Sequence, residues 1–144
     1  MSMSRFVRRH LEAEVKGAVK GVPVFPGFYS FEQQSRPGWW SADLASNAWG
    51  PVLGIHEHRP GRREGAIVVT EDGVALLGGH DVRGWVGYLD IARWDPLSKD
   101  PVAPTLRVWS RGGDVIELPF DDGGAFAFVQ FLGAAIDECH RRAR

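Results

Sequence analysis

Residues 121–144 set the problem that the rest of the chain has to solve. Phe128, Leu132, Ala135, Ile136 and Cys139 recur at steps of three and four, flanked by Phe126 and Val129, which lays one apolar stripe along an α-helix. Asp121 and Asp122 stand ahead of the stripe, where they can accept hydrogen bonds from the first-turn amides. Arg141, Arg142 and Arg144 close it, where the helix dipole is negative. With both ends marked, this helix is expected to close over strands supplied by the preceding residues.

A chain of 144 residues suits one domain with a real core, since a chain of this size buries roughly 70% of its unfolded surface. The formal net charge of -1 provides no global attraction to nucleic acid or membrane. Charge is nevertheless segregated, with both ends basic and residues 64–100 acidic, so folding is expected to bring opposite patches together. The single cysteine, Cys139, excludes an internal disulfide and reads as a small hydrophobe on the helix stripe, not as a nucleophile. The charged first twenty residues and the lack of a long apolar run lead to the expectation of a cytoplasmic protein without a signal peptide.

Near the start, Phe6, Val7, Leu11, Val15, Ala18 and Val19 form a second helical stripe, with Ser4 as its expected cap and Gly21 and Pro23 ending it. Residues 21–52 then combine Pro23, Pro26, Pro37 and Pro51 with Phe25, Phe28, Tyr29, Phe31, Trp39, Trp40 and Trp49. Proline at this density prevents a long regular element, while so much aromatic surface is costly to leave in water. The segment therefore covers something, with one or two helical turns capped by Ser41. Two readings stay open: the aromatics supply core, or some of Trp39, Trp40 and Trp49 stay exposed as anchors for a partner.

From residue 52 the pattern changes to short strands. Residues 52–58 alternate and end in a basic turn holding Arg59, Arg62 and Arg63. Residues 66–70 and 74–77 flank Glu71-Asp72-Gly73, a strong hairpin signal. A strand over 85–94 follows, then a second hairpin from 105–110 and 114–120 around Arg111-Gly112-Gly113. Gly78-Gly79 and Gly112-Gly113 read as tight turns that need positive φ.

This order of about seven short strands and one last helix resembles the pleckstrin-homology-like superfold, in its bacterial form. The resemblance covers roughly 52–142. It is carried by Ala66-Ile-Val-Val-Thr-Glu-Asp-Gly-Val-Ala-Leu-Leu77, by Gly87-Tyr-Leu-Asp-Ile-Ala-Arg-Trp94, and by residues 106–120 running into 126–136. It implies an α+β fold: a partly open antiparallel β-barrel of about seven strands, capped by the C-terminal α-helix. Residues 1–51, an N-terminal helix and an aromatic, proline-rich extension, would pack on the barrel formed by 52–144. In the eukaryotic branch the turn matching Arg59, Arg62 and Arg63 can hold phosphoinositide headgroups. Here Glu57, Pro60 and Glu64 interrupt the family's basic pattern.

Chemistry is sparse along the chain. His56 and His58 are two apart on a strand, which leaves two readings open: with His80 or Asp81 they converge on a metal site or small catalytic centre, or they are ordinary polar residues facing solvent. No nucleophile elbow, phosphate loop, dinucleotide fingerprint or Cys-x-x-Cys motif is present, and nothing in the pattern asks for a cofactor. The expected function is therefore non-enzymatic protein binding, as an adaptor or as an inhibitor such as a toxin-neutralising immunity protein. Trp39, Trp40, Trp49 and Trp85 are the expected contact residues, and an edge strand near Trp85 is open to extension by a partner's strand. A second copy of the chain is another candidate partner. The alternatives are anionic lipid binding through Arg59, Arg62 and Arg63, or chemistry at His56, His58 and His80, while nucleic acid is not expected.

Overall fold

A computed structural model of the chain describes residues 3–11, 27–95, 105–120 and 125–143. The expected extension of the first helix beyond residue 11, the Asp121 and Asp122 cap, residues 96–104 of the expected loop and Arg144 lie outside these residues. The fold is α+β. Among the described residues helix α1 (Ser4–His10) precedes eight strands: β1 (Phe28–Ser30), β2 (Val52–His56), β3 (Ile67–Thr70), β4 (Gly73–Leu77), β5 (Val82–Gly87), β6 (Ile91–Trp94), β7 (Thr105–Ser110) and β8 (Val115–Pro119). Helix α2 (Ala125–Arg142) follows.

The strands form two antiparallel sheets, β1-β2-β3-β4-β5 and β6-β7-β8, and among the described residues no strand pairing joins them. Both hairpins expected from the sequence are present, β3 with β4 and β7 with β8. The single strand expected over 85–94 is instead two. A short 3-10 turn, Tyr88–Asp90, separates β5 from β6 and carries the chain from one sheet to the other. Tyr88 causes the break, because its ring is fully buried against Phe131 of α2 and its hydroxyl donates to the Thr70 carbonyl at 2.7 Å. Another departure is β1, which lies in the aromatic segment and pairs with β2 as an edge strand.

Side-chain alternation sends two sets of residues to opposite faces of the larger sheet. Ile67, Val69, Val74, Leu76 and Val86 face the main core, which α2 closes with Phe128, Phe131, Leu132 and Ala135. Phe131 was absent from the expected stripe, yet it sits at its centre. Val68, Ala75 and Leu77 face the other way, under Trp49 and the half-buried Trp39, Trp40 and Trp85. The sheet is thus covered on both faces, which explains why β3 and β4 are buried throughout.

Helix α1 lies against α2 and contributes Met3, Val7 and Leu11, spaced by four, to the same core. Its N-cap is Met3, with no side-chain cap, where Ser4 was expected. The Met3 amide is satisfied at longer range by Glu71 Oε1, at 3.0 Å. Glu71 also accepts from Arg142, while the buried Glu138 of α2 pairs with Arg5, Arg141 and Arg142. These ion pairs join the β3–β4 turn and both helices.

Burial pushes the Tyr88 phenol well above its ordinary value of 10.0. The native state therefore keeps a proton that the unfolded chain begins to lose near pH 10, so this contribution is intact below pH 10 and declines above it. Tyr29 is raised as well, by burial and then by Glu57, and acts in the same direction. Urea unfolding measured across this range should show stability falling above pH 10, with a shallower fall for Tyr88→Phe. An unchanged slope in the variant would remove Tyr88 as a cause.

Candidate binding surface

The aromatic layer is built from residues that the proline-rich segment lays across the outer face of the larger sheet. Ser41 and Ser46 accept from the Asp43 and Ala48 amides and start two 3-10 turns, Ala42–Leu44 and Asn47–Trp49. The second turn drives Trp49 inward until it is 3% exposed and stacked on Trp85 at 5.8 Å. Trp49 is therefore core, which corrects its assignment as a surface anchor. The Thr70 hydroxyl lies within 2.5 Å of the Trp49 carbonyl and so ties the turn to the β3–β4 hairpin.

Trp39 and Trp40 are half-buried and meet edge-to-face at 6.3 Å, with Phe31 against Trp40 at 5.3 Å. Trp39 is positioned by its indole N–H, which donates to Glu57 Oε2 at 2.8 Å, while the Tyr29 hydroxyl donates to Glu57 Oε1 at 3.2 Å. Glu57 is only 7% exposed, so these two donors replace water around its carboxylate. In the sequence Glu57 stands out only as an interruption of the basic turn, which does not disclose this arrangement. The period-two alternation holds the available signal, since Ile55 and Glu57 share a face of the chain that the aromatics cover.

The histidines separate. His56 is 2% exposed and stacks on Phe120 at 5.6 Å, so it belongs to the core and not to a solvent-facing site. His58 lines a surface hollow and His80 is exposed on the β4–β5 turn. Among the described residues no three His, Cys, Asp or Glu side chains are placed to hold a metal ion. Cys139 is half-buried and burial raises its thiol, which keeps it protonated and a poor nucleophile.

The arginine turn divides too. Arg63 is directed back to the Asp81 carbonyl at 3.1 Å, whereas Arg59 and Arg62 form an isolated antiparallel bridge and stay exposed. They line a hollow of about 310 Å³ with His58, Glu64, Arg83 and Glu117.

A second hollow, of about 330 Å³, lies between β5 and β8. Its floor forms where Ile116 rests on Gly84, with the position of a missing Cβ only 3.2 Å from the Ile116 side chain. Val82 and Val115, 43% and 47% exposed, stand on the two strands that flank it. Hydrogen-bond alternation fixes which backbone groups face the opening. Tyr88 N–H donates to the Asp72 carbonyl, so in the β4–β5 ladder Val86 and Gly84 bond to β4 while Trp85 and Gly87 face away. By the same rule Ser110, which bonds Asp114, leaves Val115 and Glu117 facing outward from β8. Among the described residues both strands are sheet edges.

Comparison with protein-family models, with curated proteins and with solved structures returns no match. Among the described residues no helix is long and apolar enough to cross a membrane.

Proposed function

We propose that this chain is a non-enzymatic protein-binding module that receives a partner's extended strand along β5. The observation that supports this most is the open edge itself: the outward backbone groups of Trp85 and Gly87 beside a hollow with exposed valines on both flanking strands. Trp85 belongs to the contact face, which continues across the larger sheet to the half-exposed Trp39 and Trp40, roughly 15–20 Å away at the usual strand spacing. The two antiparallel sheets and α2 are read as a pleckstrin-homology-like, partly open barrel. An adaptor or inhibitor role in the bacterial cytoplasm, such as neutralising a toxin, follows from that resemblance.

Gly87→Pro tests the reading cleanly. Gly87 has φ -75°, which suits proline, and its N–H points away from β4, so the fold loses no ladder bond. The variant should melt within about 2 °C of the wild type, consistent with a substitution that disturbs no native contact. Partner capture from the native host, followed by mass spectrometry, should fall by about tenfold or more if strand addition is lost. Capture that survives intact would place the contact elsewhere.

A further inference from the structure

The two hollows share Arg83 and follow β8 in succession, the first reached by Glu117 and Pro119, the second by Asp114, Val115 and Ile116. They therefore form one groove, with the Arg59–Arg62 turn at one end and Asp114 at the other. Its charges cancel in sum but not in place. Glu64 is engaged by Arg83 at 3.0 Å, Asp114 lies at the far end, and Glu117 alone shares the hollow with the two turn arginines as an acid outside that ion pair. Arg59 and Arg62 form no ion pair with any described residue.

Their arrangement is unfavourable for the free protein. Residues opposite one another in an antiparallel bridge project to the same side, with Cβ atoms roughly 4.5–5.5 Å apart, and like charges there repel. The Arg62 amide donates to the Arg59 carbonyl at 3.0 Å, which fixes this tight turn and holds the two cations together. A negatively charged group at the mouth of the groove relieves that repulsion and gains paired, charge-assisted hydrogen bonds.

We infer that the groove selects an extended partner segment bearing an acidic side chain, whose carboxylate is held by Arg59 and Arg62 while its backbone adds to β5. This rests on the reading of β5 as the docking edge and names the chemistry of what docks there. A carboxylate on a strand fits better than a bilayer headgroup, because the cationic end opens into a groove with a strand edge along it. Arg63, the third cation a lipid site would recruit, is turned away to Asp81.

The test is selection of a displayed random-hexapeptide library on the full chain, on Arg59→Gln with Arg62→Gln, and on Gly87→Pro. The expected result is enrichment of sequences with Asp or Glu at one fixed position. Binding of those peptides, measured by fluorescence anisotropy, should weaken about tenfold on Glu→Gln in the peptide. It should weaken equally in the double arginine variant, with no further loss when both changes are combined. Enriched peptides without an acidic preference, still lost in Gly87→Pro, would overturn this inference and leave the docking edge standing. No enrichment, or enrichment that persists in Gly87→Pro, would overturn the docking edge and the inference together. Arginine-dependent binding to vesicles containing phosphatidylserine, with no acidic preference among peptides, would reassign the pair to a membrane surface.

Discussion

Phe128→Ala should destabilise the fold by about 3–5 kcal/mol, the usual cost of emptying a fully buried phenylalanine site. Phe128 touches Phe120 at 5.1 Å and Phe131 at 6.1 Å between centroids, and it has no exposed surface. It is the side chain through which α2 meets both the end of β8 and, by way of Phe120, His56 of β2. The cavity would open where the two sheets and the helix converge, so local collapse cannot fill it cheaply. The melting temperature should drop by on the order of 10 °C or more at this size, whereas Gln130→Ala, on the exposed face of the same helix, should change it little. Circular dichroism melts of the two variants decide it. A loss below about 1 kcal/mol would mean that α2 is not seated on the sheets.

Gly73→Ala is the second large effect, and it acts through backbone. A Cβ at Gly73 would lie 2.2 Å from the Val86 carbonyl oxygen, 2.7 Å from Gly87 Cα and 2.8 Å from the Trp85 ring. Two of these neighbours are main chain in the paired strand, so a rotamer change cannot relieve the contact, and β5 has to move away from β4. Overpacking of this kind costs about 1–3 kcal/mol, with the upper end expected where backbone must shift. Displacing β5 also disturbs the Trp49–Trp85 stack, so the urea midpoint and the tryptophan emission should change together. Emission that stays fixed while stability falls would place the strain elsewhere.

The parts of the fold that follow a period were legible in the sequence. The stripe of α2 and the Asp-Gly hairpin depend on local spacing and turn chemistry, and both are present in the structure. The strand break at Tyr88 was not legible, because it depends on a phenol finding the Thr70 carbonyl and on cover from α2, both distant in sequence. Ser4 was passed over as a cap for a similar reason, since Glu71 reaches the helix start from far along the chain. Glycine roles were read partly for the wrong cause. Gly113 has the positive φ expected of its turn, but Gly78 has none, and a Cβ there would meet the exposed Asp81 carboxylate at 2.2 Å, which can swing aside. For the site, residue types marked Trp85 and the arginine turn as unusual. Which backbone groups face outward, and which two of the three arginines stand together, depends on register that no single segment encodes.

The carboxylates of Glu71 and Glu138 have a bearing on how the molecule is made. Arg5 docks on Glu138, which is synthesised more than a hundred positions after it, and Arg142, which also pairs with Glu138, comes later still. Helix α1 consequently lacks its seat on α2 until that helix has been made, and its apolar side, Met3, Val7 and Leu11, must wait in water or in a chaperone's grip. The arrival of α2 therefore ties together two helices that lie far apart along the chain.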